Sequence, residues 1–263
     1  MTILQKLPQD FPWLDRIHCY GSVDSTNLRA KAMAAQGAPD GTTLLAFHQS
    51  AGRGRMGRSF HSPEGKGVYL SVILRPNCKA DMLMHLTCSV GVAMCNTVEN
   101  VAGIRPGIKW INDLVLNNRK IGGILTEMAL KPDGTVDYAV VGVGINCTQA
   151  ETDFPEEIRH IAASVSQFSR EIVLPDVLGA KMIMEMEKLS HSLFQQKNWY
   201  MQQYRRDCIT LGKEIIIHRS NENQPALACD VDNDGGLIVR YHNGRHAVVQ
   251  SGEVSVRGLY SYV

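Results

Sequence analysis

The sequence predicts an α+β fold: a mixed, largely antiparallel sheet with flanking helices, followed by a small all-β domain. Three features predict it. Helix-period and strand-like segments interleave along residues 1–211. Several neighbouring strand segments are joined by short turns, which suit antiparallel pairing, whereas parallel strands need long crossovers. From Gly212 onward the texture changes to short strands separated by Asn, Asp and Gly turns.

Taken in order, Asp24-Ser25-Thr26-Asn27 is a cluster of helix N-cap types. The Ala-rich stretch 28–36 favours helix, and Gly37 supplies a stop. Residues 42–48 read as a strand, and a Gly/Arg loop runs on from there through Ser62, Pro63, Gly65 and Gly67. Residues 68–74 form a second strand, ended by Pro76. Over 81–101, Leu83, Leu86, Val90, Ala93, Met94 and Val98 recur at spacings of three and four, predicting a helix. Strand signals resume at 108–110, 114–116 and 121–128, the last two joined by the turn Asn117-Asn118-Arg119-Lys120. A turn at Lys131-Pro132-Asp133-Gly134 precedes a Val-rich strand over 138–145, and two helical stretches follow, 155–168 and 175–208. Past a boundary near 211, segments 214–218, 226–231, 237–241, 247–251 and 254–257 read as strands of a barrel or sandwich of roughly 50 residues. The expected domains are 1–211 and 212–263.

The 263 residues are 44% hydrophobic and 20% charged, a balance that suits a packed core rather than disorder. With 27 Lys plus Arg against 26 Asp plus Glu, the net charge of +1 argues against a general attraction to nucleic acid or anionic membrane, though not against a local basic pocket. Seven cysteines, an odd number without a Cys-x-x-Cys pair, suggest reduced thiols rather than a disulfide or zinc framework. The first twelve residues lack the pattern of a signal peptide, and no stretch approaches the ~18 apolar residues of a membrane helix. A cytoplasmic protein is expected.

The loop Gly52-Arg53-Gly54-Arg55-Met56-Gly57-Arg58 matches G-x-G-x-x-G, but a helix must follow that fingerprint, and here Ser62-Pro63 and two glycines lead into a strand. A P-loop reading fails for the same reason, and because Arg58 stands where its lysine belongs. Three arginines within six residues repel one another unless anions lie between them, and guanidinium forks grip phosphate or carboxylate through paired hydrogen bonds. The loop is therefore either a solvated basic turn or a segment that orders around an anionic ligand such as a nucleotide, with Phe60 placed to close over an adenine or simply to pack.

Downstream, Lys109-Trp110-Ile111-Asn112-Asp113 sets a cation, an aromatic, an amide and a carboxylate in five residues, and Lys120-Ile121-Gly122-Gly123-Ile124-Leu125 returns on the other arm of a hairpin. Paired glycines inside a strand mark close approach of a ligand or another backbone. The plainer reading is a turn with Trp110 in the core and Lys120 solvated. No Gly-x-Ser-x-Gly and no cysteine in an activating motif is present, and the nine histidines are scattered.

Together these residues resemble the biotin protein ligase family. The matching motifs, in the family's order, are Asp24-Ser25-Thr26-Asn27, Gln49 with the loop 52–58, Lys109-Trp110-Ile111-Asn112-Asp113, Arg119-Lys120-Ile121-Gly122-Gly123-Ile124-Leu125, and Gly142-Val143-Gly144-Ile145-Asn146. Ser251-Gly252-Glu253-Val254-Ser255-Val256-Arg257 is similar to part of its small carboxyl-terminal domain. The resemblance implies a catalytic domain with an SH3-like barrel after it. It also implies a two-step reaction: biotin and ATP give biotinyl-5′-AMP and pyrophosphate, and the acyl group then passes to a lysine of a biotin carboxyl carrier protein or domain. Mg2+ is expected with the nucleotide rather than in a dedicated protein cage.

By motif position, Ser25, Thr26, Asn27 and Gln49 would recognise the biotin head group. Gly52, Arg53, Gly54 and Arg55 would line the biotin and adenylate site, and Gly123, Leu125, Gly142 and Gly144 would wall the slot. Arg55, Arg58, Phe60, Asn112, Lys120 and Asn146 would meet the nucleotide. Lys120, Arg55 and Asp113 are the expected catalytic residues, Lys120 between carboxylate and α-phosphate and Asp113 at the acceptor lysine. Two positions depart from the family: Ile111 replaces a common proline, and Phe60 a tryptophan found in some relatives. The Ser-Thr-Asn motif begins only 24 residues in, which leaves no room for a helix-turn-helix module, so a form that does not bind DNA is expected, with a homodimer as a family-level expectation. The alternatives are a lipoate or octanoate ligase or transferase of related fold, and a biotin-binding regulator without turnover.

Overall fold

The computed structural model describes residues 3–219, 222–250 and 255–258, with 219, 222 and 255–258 described as backbone alone. Its strands, in chain order, are β1 (Ile17–Tyr20), β2 (Thr43–Ala46), β3 (Gly67–Leu74), β4 (Gly107–Lys109), β5 (Asp113–Leu116), β6 (Arg119–Leu130) and β7 (Val136–Asn146). They form one seven-stranded sheet in the order β1-β2-β3-β7-β6-β5-β4, with β1 and β2 parallel and every other pair antiparallel. Every residue of β2 and β3 is buried, which explains why both read as near-continuous apolar runs rather than alternating ones.

The helices are α1 (Thr26–Ala35), α2 (Leu86–Ala102), α3 (Glu156–Arg159), α4 (Pro175–Ser192) and α5 (Lys197–Asp207). Alternation along the strands divides them between the two faces. Ala30 and Ala34 of α1 cluster with Leu44, Ile73 and Val140 on one face. Their chain neighbours Leu45, Val72, Leu74 and Val141 point the other way, into the larger core shared with α2, α4 and α5.

Three expectations are corrected and one strand is added. Strand β1 was not anticipated, because its burial is partial and it carries no apolar run. The helix expected from 81 begins at Leu86, after a separate 3-10 turn over Ala80–Leu83. The helix expected over 155–168 is a single α-turn, α3, followed by a short extended stretch beside Lys120 and a 3-10 turn over Val165–Gln167. In the extended stretch Ile161 accepts from the Lys120 amide at 2.7 Å and Ala163 donates to the Lys120 carbonyl at 2.9 Å. Lys120 lies before the first β6–β7 pair, Gly122 with Ile145, so the 161–163 segment takes the backbone groups that β7 does not reach. The long helix expected over 175–208 breaks between Ser192 and Lys197, and both halves pack on α2. The β5–β6 hairpin turns on Asn117 and Asn118, both with positive φ (46° and 59°), the tight two-residue form that asparagine tolerates.

A second, antiparallel sheet is built from β8 (Glu214–Arg219), β9 (Glu222–Val231), β10 (Leu237–Tyr241), β11 (His246–Val249) and β12 (Ser255–Gly258), in the order β11-β10-β9-β8-β12. Of the motif at 251–257, residues 251–254 lie outside the described residues. This sheet is latched to the first. Trp110 Nε1 donates to the Gly235 carbonyl at 2.9 Å, Lys197 pairs with Asp234 at 2.6 Å, and Arg205 Nε donates to the Val231 carbonyl at 2.6 Å. Ile215, Val231, Leu237 and Val249 belong to the same core cluster as α2. Among the described residues, no helix is long and apolar enough to cross a membrane.

Candidate active site

Residues directly paired across the sheet share a face, so the registers give the floor of the site. One row is Tyr69, Gly144, Gly123 and Asp113, the next is Ser71, Gly142 and Leu125, and the third is Ile73, Val140 and Glu127. The third row lies on the face that α1 covers; the first two continue past the amino end of that helix, where glycines remove the side chains that would fill the space. A Cβ on Gly144 would come within 2.7 Å of the Phe60 ring, and one on Gly142 would fall inside the Asn27 side chain. Glycine is needed at both positions for close approach rather than for an unusual backbone angle.

Above this floor lies a cavity of about 550 Å³, in the range of a small-molecule site. All of the residues nominated from the sequence line it except Gly52. Gly52 sits behind the wall, where a Cβ would crowd the Ser62 hydroxyl at 2.6 Å. Two kinds of group open onto the cavity. One is neutral: Ser25, Thr26, Asn27 and Gln49. Ser25 stands at the N-cap of α1, yet its hydroxyl does not cap the helix. Gln49 Oε1 accepts from the Thr26 amide at 2.8 Å and from the Thr26 hydroxyl at 3.1 Å, and Gln49 Nε2 donates to Ser62 Oγ at 3.1 Å.

The other group is charged. Lys120 Nζ is 2.5 Å from Asp113 Oδ1, with side chains 28% and 18% exposed. Arg55 Nη1 donates to Asn112 Oδ1 at 3.2 Å, and Asn112 Nδ2 donates to the Ile124 carbonyl at 2.9 Å. Burial lowers the Arg55 pKa and the Asp113 charge opposes this; a guanidinium stays charged in either case. The hairpin of β5 and β6 thus brings Asp113 and Lys120 together.

The Gly/Arg loop folds on itself as a small hairpin. Gly54 donates to the Arg58 carbonyl at 2.7 Å, Phe60 donates to the Gly52 carbonyl at 2.9 Å, and Met56 (φ 55°) and Gly57 (φ 72°) make the tip. Arg53 and Arg58 are exposed at the cavity mouth and Arg55 is half-buried. Phe60, nominated as an adenine lid, lies edge-on to Tyr69 with its ring centroid 6.0 Å from Lys120 Nζ. Asn146 reaches the cavity, but its amide donates to the Ala163 carbonyl at 2.9 Å and its oxygen accepts from Gln149 at 3.1 Å, which ties down the segment beside Lys120.

Sequence reasoning missed several residues here. Ser71, the one serine or threonine of β3, is fully buried and lies within 2.8 and 2.6 Å of Thr26 Oγ1 and Asn27 Oδ1, to which its hydroxyl can donate. Glu127 lies two and four residues beyond Leu125 and Gly123, so strand alternation alone put it on their face. Lys109, noted in the sequence as the cation of its motif but given no role, is 7% exposed and also lines the cavity, as do the unforeseen Ile158, Ile161 and Ala162 of a segment expected to be helical.

A model of the biotin/lipoate A/B protein ligase family matches residues 20–146, and a model of the biotin protein ligase C terminal domain matches residues 210–257. The biotin–[acetyl-CoA-carboxylase] ligase of Mycobacterium tuberculosis is 32% identical over 241 residues, 88% of this chain and 85% of that protein. The bifunctional ligase/repressor BirA of Bacillus subtilis is 44% identical over 149 residues, 57% of this chain; the match spans 46%, about half, of that relative's length. Among solved structures, the biotin protein ligase from Aquifex aeolicus in complex with biotin and ATP superposes with a TM-score of 0.77 at 25% identity, covering 92% of this chain and 99% of that one. That likeness takes in both sheets, in keeping with the α+β fold and SH3-like terminal domain expected from the sequence.

Proposed function

Because the chain belongs to the biotin/lipoate A/B protein ligase family, we propose that it is a biotin–protein ligase, with residues 1–211 carrying the reaction and 212–263 forming an accessory domain. In the first step the biotin carboxylate attacks the α-phosphate of ATP, giving biotinyl-5′-AMP and pyrophosphate. In the second, the amine of a lysine on a biotin carboxyl carrier domain attacks the acyl carbon and AMP leaves. One observation carries this reading: a neutral set of donors and acceptors and a cationic set, Arg55 with Lys120, open onto the same cavity.

A fused-ring urea offers both N–H donors and a carbonyl acceptor, which hydroxyls and carboxamides can match. Ser25, Thr26, Asn27 and Gln49 fill that role, while Gly123, Leu125, Gly142 and Gly144 wall the slot. Carboxylate attack on a phosphate brings two anions together, so the barrier is electrostatic. Lys120 and Arg55 lower it by standing where negative charge accumulates, and the walls hold the reactants in line. Lys120 pairs with Asp113 in this structure; as Lys120 turns to the phosphate, the Asp113 carboxylate becomes available to orient the incoming lysine and to take the proton its ammonium must lose before the amine attacks. Asp113 and Asn112 carry oxygens of the hard type that Mg2+ takes, so a Mg2+ arriving with the triphosphate would be shared between these residues and the phosphates, neutralising charge there. No covalent intermediate with the protein is needed.

Exchange of labelled pyrophosphate into ATP tests the proposal. Exchange that depends on biotin supports it. Exchange with lipoate but not biotin reassigns the chain to the sister chemistry, and biotin binding without exchange marks a regulator instead.

A further inference from the structure

We propose that Glu127 is a positioning residue: acting through Asn27, it fixes the donor–acceptor pattern with which the cavity meets the head group of its acyl substrate. The inference rests on the acyl-binding reading of the cavity and extends it to a residue beyond the lining.

Glu127 lies on β6 directly opposite Val140, on the cavity face, with its side chain 21% exposed. Its Oε1 accepts from Lys31 Nζ at 2.8 Å and its Oε2 from Asn27 Nδ2 at 3.2 Å. Asn27 and Lys31 are one turn apart on α1, so the carboxylate spans both. Burial would raise the carboxyl pKa, but the hydrogen bonds from Lys31 and Asn27 outweigh it and keep the group ionised.

A carboxamide can sit in either of two orientations, and the choice decides what it offers its surroundings. Here Asn27 Nδ2 faces two acceptors, Glu127 Oε2 and the Leu125 carbonyl at 3.3 Å. Flipping the amide would turn its oxygen onto an anion and a carbonyl, so Asn27 Oδ1 is held toward Ser71. Ser71 has one hydrogen for two acceptors, Asn27 Oδ1 and Thr26 Oγ1. The Thr26 hydroxyl donates onward to Gln49 Oε1, Gln49 Nε2 to Ser62 Oγ, and Ser62 Oγ to the Phe60 carbonyl at 2.9 Å. The hydrogen bonds thus branch at Ser71, one arm leading through Asn27 to Glu127 beneath the slot and the other through Thr26, Gln49 and Ser62 to the base of the Gly/Arg loop, with the single Ser71 hydrogen serving one arm at a time. Without Glu127, Asn27 Nδ2 would keep only the Leu125 carbonyl as acceptor, at the longer end of hydrogen-bond range, and Ser71, whose hydroxyl can donate or accept, would be left to meet the other end of the amide.

The test is steady-state pyrophosphate exchange together with equilibrium biotin binding, on the full chain. Glu127→Leu is expected to raise the KM and Kd for biotin about tenfold, the 1.4 kcal/mol per decade of affinity lying near the worth of a charge-assisted hydrogen bond. KM for ATP should not move and kcat should stay within about threefold. Lys31→Met, which removes the ion pair but leaves the carboxylate to Asn27, should stay within about threefold of wild type. In an Asn27→Ala background, Glu127→Leu should add less than about twofold, because its target is gone. Additive effects of the two substitutions, or a biotin KM within about twofold of wild type in Glu127→Leu, would overturn the proposal.

If Glu127→Leu does not fold, Glu127→Gln carries the test. Lys31 and Asn27 meet different oxygens of Glu127, and an amide with its oxygen on Lys31 turns its NH2 onto the Asn27 donor, so Glu127→Gln should weaken biotin about tenfold, and adding Lys31→Met should restore it. A double variant no better than Glu127→Gln alone would overturn the proposal. A wild-type chain that binds no biotin would overturn the reading of the cavity, and this inference with it.

Discussion

Replacing Lys120 with methionine removes one charge and little volume from the cavity wall. The ammonium sits 2.5 Å from Asp113 Oδ1 in a half-buried setting, where an effective dielectric near 20 is appropriate. A cation about 4 Å from a unit of negative charge is then worth about 4 kcal/mol. Reaching the phosphate costs Lys120 its contact with Asp113, which offsets part of this gain, so a net of about 2.7 kcal/mol is a fair expectation. That corresponds to roughly a hundredfold in the rate of adenylate formation. The fold should be retained, because the bonds from Lys120 to Ile161 and from Ala163 to Lys120 involve main-chain atoms that methionine keeps. Rapid-quench measurement of biotinyl-adenylate formation, at saturating biotin and ATP, reads the effect. A Lys120→Met rate within about threefold of wild type would refute the electrostatic role given to this residue.

Gly142→Ala pushes a methyl group into Asn27, whose amide has Ser71, Leu125 and Glu127 as partners; biotin Kd measured by calorimetry should rise more than about tenfold, with ATP affinity unchanged. Trp110→Phe strands the Gly235 carbonyl in the seam between the two sheets, so the urea midpoint should fall by the equivalent of about 1–3 kcal/mol. Of the seven cysteines, Cys19 and Cys229 are exposed and the others buried, so a thiol reagent at pH 8 should titrate two groups quickly in the native chain and all seven after denaturation. Burial pushes Cys208 up to about 11 and Cys147 up to about 12, from an ordinary 9.0. A raised thiol pKa favours the fold while the thiol is protonated. This contribution is therefore complete below pH 9 and lost as the pH climbs through 11 and 12, and thermal melts should show stability falling over that window.

Much of the site was legible because its chemistry is local in sequence. Ser25, Thr26 and Asn27 are consecutive, and a two-residue turn at Asn117-Asn118 is enough to return Lys120 to Asp113. The paired glycines announced a close approach, and the structure supplies the neighbours: the Gly144 carbonyl over Gly122, and Lys120 beside Gly123. The missed parts depend on partners distant in the chain. Nothing near Ala162 signals that it will run beside Lys120, because the reason lies in where β7 stops. Ser71 and Glu127 could have been picked out as polar residues at the right parity in apolar strands, but their importance comes from Asn27, 44 and 100 residues away. The break between α4 and α5 is likewise not encoded in helical periodicity, although both halves pack on α2.

Whether this cavity activates biotin is tested most directly by incubating the wild-type chain with biotin, ATP and Mg2+ but no acceptor, then identifying the bound product by mass spectrometry. Biotinyl-5′-AMP is predicted, in stoichiometric yield with released pyrophosphate, and adding a biotin carboxyl carrier domain should convert it to AMP and a biotinylated lysine. Recovery of biotin and ATP unchanged would contradict the proposed chemistry, whatever the cavity binds.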